Sequence, residues 1–139
     1  MKAEPQGAMR LLADTSAWIA SFQSTGHERL KQRLKEALEQ DVLVMSGMVL
    51  CELLQGARSQ AEYRNLHRRL QALHYLITPE ETWQKAARLS FELRKKGIVV
   101  PTTDLLIAQT ALDHGCSLLH CDKHFDWIAR HSDLAVIPA

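Results

Sequence analysis

The sequence predicts an α/β fold in which helices cover both faces of a parallel sheet. Short apolar runs alternate along the chain with longer segments of helical spacing, and turn-forming residues separate the two. This alternation is typical of parallel strands that are joined by helices. The chain has 139 residues, of which 46% are hydrophobic and 24% charged, which is the size and composition of a single globular domain.

The ordered pattern begins after a polar segment. Residues 1–8 are predicted to be a flexible N-terminal tail, and residues 9–139 to be the folded domain. Residues 11–13 are an apolar run that predicts a buried strand, and a short helix is predicted over 15–22. Leucines at helical spacing predict a second helix over 27–39.

Ser46 separates the next strand from the next helix. Residues 42–45 are an apolar run that predicts a strand, and the Ser46 hydroxyl can cap the helix that follows. A more polar helix is predicted over 59–72. A third strand is predicted over 74–77, where a threonine and a proline stop it.

Two longer helices dominate the second half of the chain. Residues 80–96 have amphipathic spacing and a basic last turn before Gly97, as helix C-termini prefer. Another helix is predicted from Pro101 through Leu112. The remaining segments are predicted to be a strand over 117–120, a short helix over 125–130 and a strand over 135–137.

The composition bears on compartment and partners. No apolar run is long enough to span a membrane, and the N-terminus lacks the apolar core of an export signal, so a cytoplasmic location is expected. The three cysteines, Cys51, Cys116 and Cys121, are odd in number, and no disulfide framework is expected. The formal net charge of +1 neither requires nor excludes a nucleic-acid partner.

Four carboxylates are the candidate functional residues. Asp14 and Asp122 each follow a predicted strand, and the carboxyl ends of parallel strands form the edge where α/β folds bind ligands. Asp104 lies in the first turn of a predicted helix. Glu52 lies on the apolar side of the helix after Ser46, with no obvious basic residue one turn away. Because burial of an unpaired charge is costly, a shared cation would explain all four positions.

The chemistry of such a cluster has a natural candidate. Hard cations such as Mg²⁺ and Mn²⁺ prefer carboxylate and water ligands, and they promote attack by water on a phosphodiester. Each acid also has a structural interpretation of its own. Asp14 can cap a helix, Asp104 can interact favourably with a helix dipole, and Asp122 can be a turn residue.

The segments around these acids resemble the PIN-domain family, and within it the VapC-like toxins of bacterial toxin–antitoxin pairs. The matching segments are LLADTSAWIA, CELLQGAR, TTDLLIAQTALDHG and LLHCDKHFDWIA, which extend over nearly the whole domain. The resemblance implies an α/β/α sandwich with a five-stranded parallel sheet and Mg²⁺- or Mn²⁺-dependent endonucleolytic cleavage of RNA. It places Asp14, Glu52, Asp104 and Asp122 in the metal site. It also implies a homodimer and neutralisation by a small antitoxin, and we expect a basic antitoxin side chain to enter the acidic cleft.

One position departs from the family pattern. Many relatives carry a further acid two residues after the fourth one, immediately before the phenylalanine, whereas this chain has His124 there. The number of ligands available to a second metal is therefore open. Asp126 lies beyond Phe125 and is not taken as a substitute.

Several other residues have two interpretations. Thr103 either donates a hydrogen bond to a ligand or substrate phosphate, or caps its helix, a role that is also open to Thr102. The histidines and cysteines around residues 114–124 lack standard zinc spacings, so His124 is predicted to be a surface histidine, with substrate contact as the alternative. Arginines either contact RNA phosphates or form a solvated helix face at positions Arg58, Arg64, Arg68 and Arg69. Core or interface positions are predicted for Trp18, Phe22 and Trp83.

Three alternative functions compete with that of a toxin. An aspartyl-phosphate phosphatase needs a second acid two residues after the nucleophile, and Ser16 occupies that place after Asp14. A non-catalytic PIN-like binding module would be favoured by loss of one of the four acids, yet all four are present. The third alternative, a housekeeping RNA-processing nuclease, remains open. An overlapping small gene for a DNA-binding antitoxin would argue against it.

Overall fold

A computed structural model describes residues 9–139, and the predicted tail over residues 1–8 lies outside the described residues. The described chain alternates strands and helices as the sequence predicts. The strands are β1 (Leu11–Ala13), β2 (Leu43–Ser46), β3 (His74–Leu76), β4 (Ser117–His120) and β5 (Ala135–Pro138). The helices are α1 (Thr15–Ser21), α2 (Glu28–Glu39), α3 (Gly47–Gln55), α4 (Gln60–Leu70), α5 (Glu80–Lys95), α6 (Thr102–Asp113) and α7 (Lys123–Arg130).

The five strands form one sheet in the order β3-β2-β1-β4-β5, and each neighbouring pair is parallel. The predicted α/β fold with a five-stranded parallel sheet is confirmed. From β1 the chain builds the sheet towards β3 on one side, and it later adds β4 and β5 on the other side. The strand order therefore reverses between β1 and β4, and such a reversal opens a crevice at the carboxyl ends of the strands.

The central part of the sheet is the most deeply buried part of the domain. Every residue of β1, β2 and β4 is buried, which agrees with the apolar sequence of β1 and of most of β2, while β4 also buries the polar Ser117 and His120. In α6, all seven residues from 105 to 111 are buried, so this helix lies inside the domain and carries Asp104 on its first turn. Within residues 9–139, no helix combines the length and apolar character that crossing a membrane requires.

The predicted helix caps have mixed outcomes. The cap at Ser46 is confirmed, because its hydroxyl oxygen accepts a hydrogen bond from the Val49 N–H at 3.2 Å. The predicted cap at Thr102 or Thr103 is wrong. Pro101 is the N-cap residue of α6 and makes no side-chain cap bond, so both threonines already lie inside the first turn. A hydroxyl in the first turn is past the position from which it could cap the helix.

Candidate metal centre

Asp14 is held at the carboxyl end of β1 by hydrogen bonds to its side chain. It is the N-cap residue of α1, where its Oδ1 accepts a hydrogen bond from the Ala17 N–H at 2.9 Å. The Ser16 hydroxyl lies 2.8 Å from each carboxylate oxygen. The Asp14 N–H donates to the carbonyl of Leu119 at 3.0 Å, which ties the residue to β4. Asp14 is thus a helix cap that also lies at the crevice.

Ser16 connects the two sides of this crevice. Its hydroxyl oxygen accepts a hydrogen bond from the Cys121 N–H at 3.0 Å, and the same hydroxyl donates to Asp14. The side chain therefore fixes the end of β1 against the segment after β4. The sequence pattern indicates only that Ser16 occupies the position where an aspartyl-phosphate phosphatase has its second acid. A hydroxyl placed two residues after the aspartate was the available signal for this positioning role.

Glu52 lies in α3 and is half-buried, and its partner comes from α1. The Thr15 hydroxyl donates a hydrogen bond to Glu52 Oε1 at 2.7 Å. This neutral donor orients the carboxylate without neutralising its charge. The sequence placed Glu52 in the site, but the role of Thr15 was missed because the two residues are distant in sequence.

Asp104, Asp122 and His124 are brought together at the crevice. The His124 Nδ1 lies 3.0 Å from Asp104 Oδ2 and 3.2 Å from Asp122 Oδ1. Asp122 is the N-cap residue of α7, and its Oδ1 also accepts a hydrogen bond from the His124 N–H at 2.9 Å. Among residues 9–139, these three are the group whose potential ligand atoms all lie within 4.8 Å of one another.

The prediction that His124 is a surface histidine is wrong. Its side chain is only 25% exposed, and its ring contacts two of the four candidate acids. The reason is that α7 begins at Lys123, two residues earlier than predicted, so that His124 lies in the first turn beside the capping Asp122. The departure from the family pattern at this position was the signal that could have placed His124 in the site.

Among the described residues, Asp126 is not a member of this close group. Its Oδ1 lies 3.3 Å from Nε2 of the buried His120. The other ring nitrogen of His120, Nδ1, accepts a hydrogen bond from the Asp122 N–H at 3.1 Å. His120 therefore supports the backbone that presents Asp122.

The electrostatics of the site are those of acids held close together in a partly buried place. Burial raises the pKa of the Asp104 carboxyl, and repulsion from Asp122 and Glu52 adds to this effect against the opposing influence of His124. Burial also raises the pKa of Asp14, although hydrogen bonds from Ala17 and Ser16 act in the opposite direction. The charges of Asp122 and Glu52 thus both act on the Asp104 carboxyl.

The charge of Asp14 also affects the Cys121 thiol on the opposite side of the crevice. Burial, and after it repulsion by Asp14, raise the pKa of the Cys121 thiol. Asp14 and Glu52 are not members of the close group within the described residues. Glu52 repels the charge of Asp104, and Asp14 is joined through Ser16 to Cys121, the residue before Asp122.

The donor set fits a hard divalent cation. Carboxylate oxygens are the ligands that Mg²⁺ and Mn²⁺ prefer, and Mn²⁺ also accepts imidazole nitrogen. A cation here would relieve the repulsion that raises the pKa of Asp104. The region also holds His114, Cys116, His120 and Cys121, but within the described residues only His124 belongs to the close group.

An open cleft of about 650 Å³ adjoins the site next to Asp122. Its lining has mixed charge, because the acids Glu28, Asp122 and Asp126 lie among the basic or protonatable side chains of His27, Arg29, His120 and Lys123. The candidate acids therefore adjoin a cleft in which Arg29 and Lys123 could contact phosphates of a polyanion.

Comparisons with known proteins agree with this architecture. Residues 11–131 match the sequence model of the family described as the PIN domain. The chain is 33% identical over 122 residues to Ribonuclease VapC21 of Mycobacterium tuberculosis, covering 86% of this chain and 85% of the relative.

Solved structures share the fold. One is a crystal structure of VapBC2 from Rickettsia felis bound to a DNA fragment from their promoter, with a TM-score of 0.78 and 20% identity over 94% of this chain and 99% of that chain. Another is VapBC-5 from Mycobacterium tuberculosis, a member of a family of toxin–antitoxin systems, with a TM-score of 0.66 and 20% identity over 95% of this chain and 100% of that chain. At these identities the likeness establishes the fold alone.

Proposed function

This chain belongs to the PIN-domain family, and from that premise we propose that it is a metal-dependent endoribonuclease that acts as the toxin of a toxin–antitoxin pair. The single observation that carries the proposal is the convergence of Asp104 and Asp122 at the crevice where Asp14 and Glu52 are also fixed. Such a carboxylate group suits a divalent cation, and hydrolysis of RNA phosphodiester bonds is the chemistry that fits both the group and the family.

The four acids have distinct positions in this proposal. Asp14, Glu52, Asp104 and Asp122 would hold Mg²⁺ or Mn²⁺, with Asp14 oriented by Ser16 and Glu52 by Thr15. When bound, the cation supplies activated water and neutralises charge that grows on the phosphoryl oxygens. Thr103 adjoins Asp104 in the first turn of α6, and we propose that its hydroxyl donates to the substrate phosphate.

The polynucleotide would reach the acids through the cleft beside Asp122. Arg29 and Lys123 line this cleft beside Asp122, so they would hold the phosphates next to the scissile one. The sequence offers a second option in Arg58, which precedes α4, and in Arg64, Arg68 and Arg69 of α4. The Arg68 guanidinium donates to Asn65 within its own helix, Arg69 lines a different groove, and neither Arg58 nor Arg64 lines the cleft beside Asp122. We therefore assign phosphate contact to the cleft beside Asp122.

The direct test is cleavage of total cellular RNA, with the new ends mapped by sequencing. The purified protein is expected to produce a small set of discrete ends in Mg²⁺ or Mn²⁺ and none in excess chelator, because the carboxylates cannot activate water alone. Restoring the metal after chelation should restore the same ends. Equal cleavage with and without chelator would contradict the proposal.

An antitoxin needs a docking surface, and a groove between α1, α2 and α4 has the right properties. Its volume is about 540 Å³. Phe22 and Leu38 line it and are more than half exposed, at 55% and 57%, whereas Trp18 lies buried at 9%. Basic side chains also line the groove, namely Lys31, Lys35 and Arg69. We propose that the occupant is an amphipathic antitoxin helix with apolar anchors and acidic flanking residues.

Phe22→Asp is expected to weaken the complex with the cognate antitoxin at least about tenfold, because it removes an apolar anchor and introduces a repelled charge. Val99→Asp is the matched control, since Val99 is 60% exposed and does not line the groove. Titration calorimetry of each variant against the antitoxin measures the effect. Equal affinity of Phe22→Asp and the control would reject this docking surface, though not the existence of an antitoxin.

We also propose a two-fold homodimer, the commonest symmetry of small soluble assemblies. The sequence pointed to the α1 aromatics, but Trp18 is buried and Phe22 lies in the groove, whereas α5 exposes Trp83 and Phe91 at 52% and 53%. Sedimentation at tens of micromolar (roughly, since dimer populations follow concentration) should find a dimer that Trp83→Glu shifts towards monomer. A monomeric unmodified protein at that concentration would count against the homodimer.

A further inference from the structure

His124 has the geometry of a metal ligand as well as that of a hydrogen-bond partner. Its Nδ1 faces two carboxylate oxygens, Asp104 Oδ2 at 3.0 Å and Asp122 Oδ1 at 3.2 Å. Neighbouring ligands of an octahedral ion with bonds of 2.0–2.1 Å are about 3.0 Å apart. The nitrogen therefore lies at the distance of an adjacent ligand from each oxygen, and the three residues offer ligand atoms that all lie within 4.8 Å of one another.

The ring of His124 is held in this orientation from two sides. Its backbone N–H donates to Asp122 Oδ1 at 2.9 Å, which fixes the main chain next to the acid. Its ring packs against the indole of Trp127, with ring centroids 5.3 Å apart and planes inclined by 60°. A side chain that is confined in this way loses little further freedom when it binds an ion.

We propose that His124 is a direct ligand of the bound cation, so that the centre has a mixed nitrogen and oxygen donor set and prefers Mn²⁺ to Mg²⁺ more strongly than a carboxylate at the same position would. The inference rests on the proposed function, because it needs a divalent cation beside Asp104 and Asp122. Oxygen ligands suit both Mg²⁺ and Mn²⁺, but Mn²⁺ is a first-row transition-metal ion and tolerates an imidazole nitrogen better than the harder Mg²⁺ does. The histidine thus sets the metal preference of this chain.

Electron spin-echo spectroscopy of the Mn²⁺-loaded protein detects the ligand directly. We expect nitrogen modulation from a coordinated imidazole, and we expect its pattern to change when the protein carries ¹⁵N-labelled histidine. His124→Asp should bind Mn²⁺ without this modulation. His27→Asn is the matched control and should retain it, because His27 lines the neighbouring cleft but is not in the close group.

Titration calorimetry with Mg²⁺ and with Mn²⁺ supplies a second readout. The ratio of the Mg²⁺ to the Mn²⁺ dissociation constant should fall about tenfold in His124→Asp, which is the size of effect typical of changes around a metal site. Bound Mn²⁺ without nitrogen modulation, or an unchanged ratio in His124→Asp, overturns the histidine ligand while leaving the metal-dependent nuclease intact. Failure of the unmodified protein to bind either ion overturns both.

Discussion

Asp104→Asn is expected to reduce RNA cleavage at least about a hundredfold while leaving the fold intact. Metal assistance supplies several kcal/mol of transition-state stabilisation, and about 1.4 kcal/mol corresponds to a tenfold change in rate. Asparagine retains one oxygen that can accept the hydrogen bond from His124, so the packing of α6 against α7 should survive. The substitution therefore removes charge from the metal site with little change of shape.

Asp14→Asn should have a similar effect, because its remaining carbonyl oxygen can still cap α1 through the Ala17 N–H. Asp133→Asn is the matched control, since Asp133 is an exposed acid in the loop before β5. Single-turnover cleavage of one mapped RNA measures the rate, and circular dichroism verifies the fold. If both site variants cleave RNA at rates within tenfold of the unmodified protein, the two carboxylates are not needed for catalysis.

Thermal melts should show that Mg²⁺ or Mn²⁺ raises the melting temperature of the unmodified protein by roughly 9 °C at a hundredfold excess over the dissociation constant. Binding to the folded state alone contributes about 2.7 kcal/mol at that excess, and a chain of this size has an unfolding entropy near 0.3 kcal/mol per kelvin. Asp104→Asn should lose most of this shift. An equal response of both proteins to metal would show that Asp104 does not bind it.

Without metal, Asp104→Asn should have a higher melting temperature than the unmodified protein. Burial raises the pKa of Asp104 above the ordinary 3.8, so the folded state binds a proton there more tightly than the unfolded state does. Proton binding at Asp104 therefore contributes to the free energy of unfolding below pH 3.8, and this contribution is lost as pH rises through the raised pKa. In chelator at neutral pH, Asp104→Asn should melt at a higher temperature than the unmodified protein. The advantage should vanish in acid, and a less stable variant at neutral pH would contradict the assigned repulsion.

The elements were predictable because each carries its own local pattern. β1 and β2 are buried on both faces and are predominantly apolar, whereas α2 and α5 show amphipathic spacing. Parallel pairing followed from the alternation of the two patterns. The strand order did not follow from these local patterns, since it depends on pairing between distant segments, such as Leu11 with Ser117.

Three of the candidate acids could be proposed for a related reason, since Asp14 and Asp122 follow strands and Asp104 lies in the first turn of a helix. Glu52 lies further along α3 and could be proposed from its place on the apolar side of that helix. Their supporting residues could not. Thr15 reaches Glu52 and Ser16 reaches Cys121 across the fold, and hydroxyls in a sequence do not indicate their partners. His124 was misjudged because its orientation depends on where α7 begins, and helix boundaries are the least determined feature of a local pattern.

The reversal of strand order between β1 and β4 has a consequence for the time at which activity can arise during synthesis. Asp14 emerges early from the ribosome, but its partner segment around Cys121 and Asp122 follows roughly a hundred residues later, which is about 5 to 20 s at ordinary translation rates. The hydrogen bond between Ser16 and Cys121 cannot form before then. A nascent chain therefore lacks the Asp122 side of the candidate centre for most of its elongation, and the crevice can be completed only after β4 has joined the sheet beside β1.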